Sequence, residues 1–164
     1  MYDLTQQIIQ NWKDQSSPEK ESLKQILKKL RNLNRHEVNG IMHKNTQKVF
    51  DQFDCLQCAN CCKTTPPIFT NRDVKRIARY LKVPPKTFKR KYLIEDLDRT
   101  LVGSRIPCVF LEKDNSCSIY TVRPEACRSF PHTDDEKFVF RAELNYKNTQ
   151  ICPAAYSIVK KLPF

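Results

Sequence analysis

The chain has 164 residues, a single-domain length, with a mean hydropathy of -0.62 and a formal charge of +11 from 29 Lys and Arg against 18 Asp and Glu. No stretch approaches the ~20 apolar residues that span a bilayer, and the opening MYDLTQQ has neither the basic start nor the apolar run of a secretory leader, so a soluble, cytoplasmic protein is expected. The charge draws the chain toward nucleic acid, an anionic membrane or an acidic partner, and names none of them.

Residues 1–52 contain no cysteine and read as two or three helices. Leu4, Ile8 and Trp12 share one face before a break at Ser16, Ser17 and Pro18. Ser17 ahead of Pro18, with Glu19 and Glu21 behind, predicts a helix start, because the hydroxyl accepts orphan amides and the proline needs no partner. Leu23, Ile26, Leu27, Leu30 and Leu33 follow at helical spacing, and the stripe carries on through Val38, Ile41, Val49 and Phe53. Gly40 and the asparagines around it predict a kink or a turn. The stripe reads as packing against the cysteine-rich half, with a dimerising arm as the alternative.

From Cys55 onward the composition changes: all eight cysteines and nine of the ten prolines lie there. The division expected is a helical extension over 1–52 and a cysteine-cluster metal-binding domain over 53–164. Thr64 to Phe69 is a proline-containing loop, and Thr70 with Asp73 forms a capping box for a helix to about Leu81. Pro84 and Pro85 open another, ending near Leu93. Pro107 to Tyr120, with Glu-Lys-Asp-Asn-Ser at its centre, predicts a β-hairpin that sets Cys108 nearly opposite Cys117. A helical turn at Pro124 to Cys127, a strand over Phe138 to Leu144 and an amphipathic helix from Pro153 to Lys161 complete the chain. The fold class expected is an α-rich α+β domain, small, cysteine-rich and metal-stabilised, with a short β-hairpin and preceding helices.

In a reducing compartment a dense, even set of cysteines reads as ligands rather than disulfides, although eight cysteines can pair in 105 ways. Cys55, Cys58, Cys61 and Cys62 form a CxxCxxCC run, whose two-residue spacers let turns aim successive thiolates at one cation. The neighbours Cys61 and Cys62 are expected to diverge, which argues for two metals, or for one cluster plus an extra thiol. Cys108, Cys117, Cys127 and Cys152 are too dispersed for a local knuckle, so the fold must gather them and metal binding is coupled to folding. The triplet Cys55, Cys58 and Cys61, with Cys152 followed by Pro153, matches ferredoxin-type iron-sulfur spacing, while four thiolates suit zinc equally well. Lys63, Arg123 and Arg128 stand beside cysteines and are candidates to donate charge-assisted hydrogen bonds to sulfur or to a bound anion, against the plainer reading of solvent-facing bases.

The run at 55–62, Pro-Cys-Val-Phe-Leu at 107–111, Cys-Ser-Ile-Tyr-Thr-Val-Arg-Pro at 117–124, Cys-Arg-Ser-Phe-Pro at 127–131 and Cys-Pro at 152–153 together resemble the YkgJ-like cysteine cluster family. The resemblance covers about residues 53–155. It implies zinc or iron chelation by all eight cysteines and supplies no reaction. Ala59 and Asn60 fill the second spacer where many relatives are expected to carry a glycine. A related cysteine cluster occurs in flagellin lysine methylases, but that activity is not carried over, since this chain has no second domain for a methyl donor and a protein substrate.

His36 and His43 read as surface or packing residues, and His132 is the one histidine placed to approach the centre. Asp134, Asp135 and Glu136 read as a solvated turn. Tyr120 and Phe130 are expected to pack around the centre, Tyr120 with its hydroxyl toward a sulfur. Residues 63–91 hold ten bases and the single acid Asp73, interleaved with Phe69, Tyr80 and Phe88, a layout that suits a phosphate backbone as well as a solvated helix face. No nucleotide-binding loop, activated nucleophile or methyl-donor motif is visible. The function expected is cysteine-ligated metal binding, with a chelating, sensing or electron-transfer role. Two alternatives stand beside it: an iron-sulfur-dependent modifying enzyme or accessory protein, and a metal-stabilised nucleic-acid-binding module.

Overall fold

The computed structural model describes residues 3–164; Met1 and Tyr2, which open the segment read above as lacking leader character, lie outside the described residues. In chain order the helices are α1 (Leu4–Lys13), α2 (Ser17–Lys29), α3 (Arg35–Phe50), α4 (Cys55–Cys58), α5 (Asn60–Thr64), α6 (Asn71–Tyr80) and α7 (Pro85–Tyr92). The antiparallel strands β1 (Leu93–Glu95) and β2 (Leu101–Gly103) follow, then α8 (Glu125–Ser129), α9 (Ala142–Ile151) and α10 (Pro153–Lys160). Short 3-10 turns occupy Leu30–Asn32, Tyr120–Val122 and Phe138–Phe140. The protein is an α-rich α+β fold, and none of its described helices is long and apolar enough to cross a membrane.

Two compact units make up the chain: the residues up to Cys58 together with Pro131–Phe164, and Ala59–Phe130.

In the first unit, local capping sets the helix boundaries. Ser16, one residue ahead of the expected cap, accepts the Glu19 amide and places Pro18 in the first turn of α2. The break predicted near Gly40 falls earlier. Leu33 is extended and Asn34 accepts the amides of His36 and Glu37, so α3 starts there and runs unbroken through Gly40. Packing carries the glycine: Val38, Met42 and Val49 are buried along α3, and a helix interior tolerates a glycine's ~1 kcal/mol when its neighbours are anchored. The stripe Leu23, Leu27 and Leu30 is buried while Leu33 is exposed, and α2 packs on α9. The last helix is buried on most of its faces through Ala154, Ala155, Tyr156, Ile158 and Val159, which makes α10 the centre of the unit rather than an amphipathic cover. The Trp12 indole donates to the Thr149 carbonyl at 2.8 Å, tying α1 to α9.

The strand expected at Phe138 to Leu144 is helical. The Asp135 carbonyl accepts the Phe138 amide at 2.8 Å and its carboxylate accepts the Lys137 amide at 2.7 Å, which coils the chain. Asn145 then donates to the Phe138 carbonyl at 2.6 Å, so the segment meets its hydrogen-bond needs without a strand partner.

In the second unit α6 begins as predicted, with Thr70 accepting the Asp73 amide and Asp73 accepting the Thr70 amide. The helices α6 and α7 pack together over a core of Phe69, Val74, Ile77, Ala78, Phe88, Leu93, Phe110 and Ile119. The short hairpin stands at 93–103 rather than 107–120. The Asp96 carboxylate accepts the amides of Asp98 and Thr100 and closes its turn, a local signal the polar sequence concealed. The loop at Pro66–Phe69 lies along β2, and a Cβ on Gly103 would sit 3.0 Å from the Pro67 ring, so glycine permits that approach. At 107–120 the polar turn forms, with Asp114 accepting the Ser116 amide, but only Leu111 and Cys117 bridge. The Cys108 amide is donated to the Cys62 carbonyl at 2.8 Å and the Leu111 amide to the Cys108 carbonyl, which coils the first arm instead of extending it.

Candidate metal centre

Within Ala59–Phe130 the fold gathers five of the eight cysteines. Helix α5 carries Cys61 and Cys62, and it opens with Ala59 at φ 48°, the left-handed conformation for which glycine was expected. Cys108 and Cys117 flank the aromatic core, packed against Phe110 and its neighbours, and Cys127 lies in α8. The adjacent Cys61 and Cys62 do not diverge: their sulfurs are 4.0 Å apart. That is close to the ~3.8 Å edge of a tetrahedron of thiolates at zinc-sulfur distance, so the pair is compatible with a shared metal as well as with two.

Cys62, Cys108, Cys117 and Cys127 act electrostatically on one another. Their environments differ. The Cys61 hydrogen bond and, after the opposing cost of burial, the charge of Lys63 bring the Cys62 thiol down to about 7. Burial pushes Cys108 and Cys117 up, and it drives Cys127 to about 12 with the neighbouring sulfurs adding to the rise. Amides of Phe110 and Leu111 point to Cys108, and the Ile119 amide to Cys117, the backbone donors that thiolate ligands use. A half-buried group of like anions is costly unless a cation compensates it. Among the described residues no three Cys, His, Asp or Glu side chains are grouped closely enough to hold a metal ion as they stand.

The first unit holds Cys55 and Cys58 on α4 and Cys152 at the start of α10. Cys152 is buried, accepts the Ala155 amide at 3.4 Å and is raised to about 12, chiefly by burial and further by the charges of Cys55 and Cys58. Cys62, Cys108, Cys117, Cys127 and Cys152 stand as thiols outside any disulfide.

Of the basic candidates, Lys63 acts electrostatically on Cys62, and Arg123 on Cys117 and Cys127. The Arg128 guanidinium is spent on the Arg123 and Thr121 carbonyls, holding the turn between Cys117 and Cys127. Tyr120 is not core packing: it is 52% exposed, its ring lying 4.0 Å beneath the Arg123 guanidinium. His132 is half-buried at φ 64°, and burial lowers its pKa against the pull of Asp135. His43 pairs with Asp134 at 2.8 Å on the surface, and Asp135 with Arg141 at 2.8 Å.

Asp73 does more than cap a helix. Its carboxylate accepts the Thr70 amide and hydroxyl, an Arg76 N–H at 2.6 Å and the Glu125 amide at 3.2 Å, while Arg76 donates to the Arg123 carbonyl at 2.9 Å. The pair, buried at its Asp73 end, thereby clamps the segment leading into α8 and Cys127. Its one sequence signal is that Asp73 is the only acid among the ten bases of 63–91. Burial raises the carboxyl, but the bonds from Thr70, Arg76 and Glu125 outweigh it and hold the pKa below the usual value. A depressed folded pKa stabilises the protein above the unfolded value near 4 and loses that contribution as pH falls further. Asp73→Asn is expected to cost about 1–3 kcal/mol at pH 7 in urea denaturation, with the gap to the native protein closing below about pH 4; a gap independent of pH would refute this account.

A family model described as "Putative zinc- or iron-chelating domain", CxxCxxCC, matches residues 54–153. The chain belongs to the CxxCxxCC family. The YkgJ-like resemblance read from the sequence is this same family. Metal binding by zinc or iron is therefore the family's assigned role, and the matched span contains all eight cysteines. An uncharacterized protein of Methanocaldococcus jannaschii, MJ0661, is 34% identical over 107 residues, covering 57% of this chain and 56% of that protein. The chain thus spans just over half the length of that relative. No solved structure matches.

Proposed function

We propose that this CxxCxxCC protein holds one zinc or iron centre on Cys62, Cys108, Cys117 and Cys127, with Cys55, Cys58 and Cys152 as a separate thiol set and Cys61 as an auxiliary ligand beside Cys62. The observation that carries the reading is that the first four thiols lie in one another's fields inside a single compact unit, with backbone amides aimed at Cys108 and Cys117. The donor set fits the metal. Four thiolates satisfy zinc or an iron-sulfur cluster, and Lys63 and Arg123 offset the two negative charges that four thiolates leave on either. When bound, zinc supplies a closed structural or storage site, and an iron-sulfur cluster supplies one-electron chemistry suited to electron transfer or redox sensing. A set of eight cysteines held as metal ligands suits a reducing compartment such as the cytoplasm.

Anaerobic purification followed by an optical spectrum, sulfide assay and metal analysis on one sample tests this reading. Broad absorption near about 400 nm with bound sulfide means iron-sulfur, and a colourless protein with stoichiometric zinc means chelation. Cys127→Ser is expected to lose the four-thiolate metal and Cys152→Ser to keep it. Equal loss in both variants would overturn the assignment.

A further inference from the structure

Between residues 71 and 92 nine bases face one acid, a net +8 within a chain whose total is +11. The structure shows where that charge goes. The apolar side chains of the two helices here, Val74, Ile77, Ala78 and Phe88, are buried in their own core, and the one acid, Asp73, is buried and paired with the partly exposed Arg76. What remains outward is Arg72, Lys75 and Arg79 along α6, Lys82 in the turn, and Lys86 and Arg90 on α7, all exposed. None of these six has an ion-pair partner among the described residues. Lys89, in the last turn of α7, donates to Asn71 at the start of α6 at 3.1 Å, and the two helices pack together, so the bases of both stand on neighbouring helices.

We infer that this α6–α7 face binds the phosphate backbone of nucleic acid. Arg72, Lys75 and Arg79 stand at i, i+3 and i+7, on one side of a helix about 15 Å long. That length matches about four successive phosphates of a duplex strand spaced at ~3.4 Å. Uncompensated bases in a regular row gain by displacing the counterions condensed on a polyanion, whose charge density an acidic protein surface rarely reaches. An anionic membrane is the poorer occupant, because the helices have no apolar face left to insert. Tyr80, half exposed at the end of the basic row, offers a ring on which a base can stack. The contacts are to phosphate, so binding is insensitive to base sequence and sensitive to salt.

The test is fluorescence anisotropy on the full-length, metal-loaded protein with a labelled 20-nucleotide RNA and a 20-base-pair DNA, titrated across salt concentrations. Each lost phosphate contact removes about 0.7 from the logarithmic salt slope on a single strand, so the triple variant Arg72→Gln, Lys75→Gln, Arg79→Gln is expected to reduce that slope by about 2. At 0.1 M salt this is an affinity loss of roughly 100-fold. A second triple variant, Lys24→Gln, Lys28→Gln, Lys29→Gln on α2, removes the same charge elsewhere and is expected to change affinity only a few-fold. Circular dichroism melting confirms that both variants fold. Equal losses in the two triples, absence of binding to both RNA and DNA, or tighter binding to polyglutamate or to phosphatidylserine vesicles would overturn the proposal.

Discussion

Removal of the metal is expected to lower the melting temperature of the Ala59–Phe130 unit by more than about 15 °C. The unit is small, and below about 70–80 residues one apolar core rarely supplies more than about 3–5 kcal/mol. Its core is eight buried residues around a cluster of aromatic rings. Structural zinc in small domains contributes about 10–16 kcal/mol of apparent binding free energy at neutral pH, and that energy is folding energy where the ligands are scattered along the chain. Cys62, Cys108, Cys117 and Cys127 span most of the unit's length, so one cation held by the proposed four would close several long loops at once. A loss of only several kcal/mol in a domain this size already moves the midpoint by more than the stated amount. The measurement is thermal unfolding of apoprotein whose metal content has been verified, followed by near-ultraviolet circular dichroism for the Phe and Tyr cluster. Fluorescence of Trp12, which is hydrogen-bonded to Thr149 in the other unit, supplies a second signal. An aromatic transition unchanged in verified apoprotein would sink the structural role of the metal.

Phe88→Ala is expected to destabilise the same unit by about 3–5 kcal/mol, comparable with its whole apolar contribution. Phe88 is fully buried, with its ring stacked on Phe110 at 6.1 Å and 7°, edge-on to Phe69 at 6.1 Å and against Tyr92 at 5.2 Å. Truncation removes three aromatic contacts and leaves a cavity that the surrounding rings fill poorly. Cys108 and Cys117 pack against this cluster, so metal release to a chromogenic chelator is expected to quicken in the variant. Phe88→Leu should recover more than half of the stability. Urea denaturation of the metal-loaded protein decides the matter: a cost below about 1 kcal/mol for the alanine variant would show that the metal, not the aromatic cluster, holds Cys108 and Cys117 in place.

Much of the local structure was legible because its causes are local. The Thr70–Asp73 capping box, the proline starts of α7 and α10 and the apolar stripe of α2 each act within one or two turns of chain. Expectations failed where a distant hydrogen bond outweighed local pattern. The hairpin expected at 107–120 gives way because Cys108 donates its amide to Cys62, and the strand expected at 138–144 gives way because Asn145 and Asp135 satisfy that backbone in a coiled form. Tyr120, expected to pack around the centre, is instead half exposed, its ring a platform for Arg123.

The sequence by itself determined that the chain is α-rich, that its cysteines are a CxxCxxCC set suited to a thiophilic cation and that its charge concentrates in one stretch, since composition, spacing and capping are properties of neighbouring residues. Only the tertiary structure decided which cysteines share a field, because Cys62, Cys108, Cys117 and Cys127 meet through long-range packing and backbone bonds that no spacing encodes. It also decided that Asp73 is a buried clamp and that six bases are left outward without an ion-pair partner among the described residues, because burial and partnership depend on which face each helix turns to its own core.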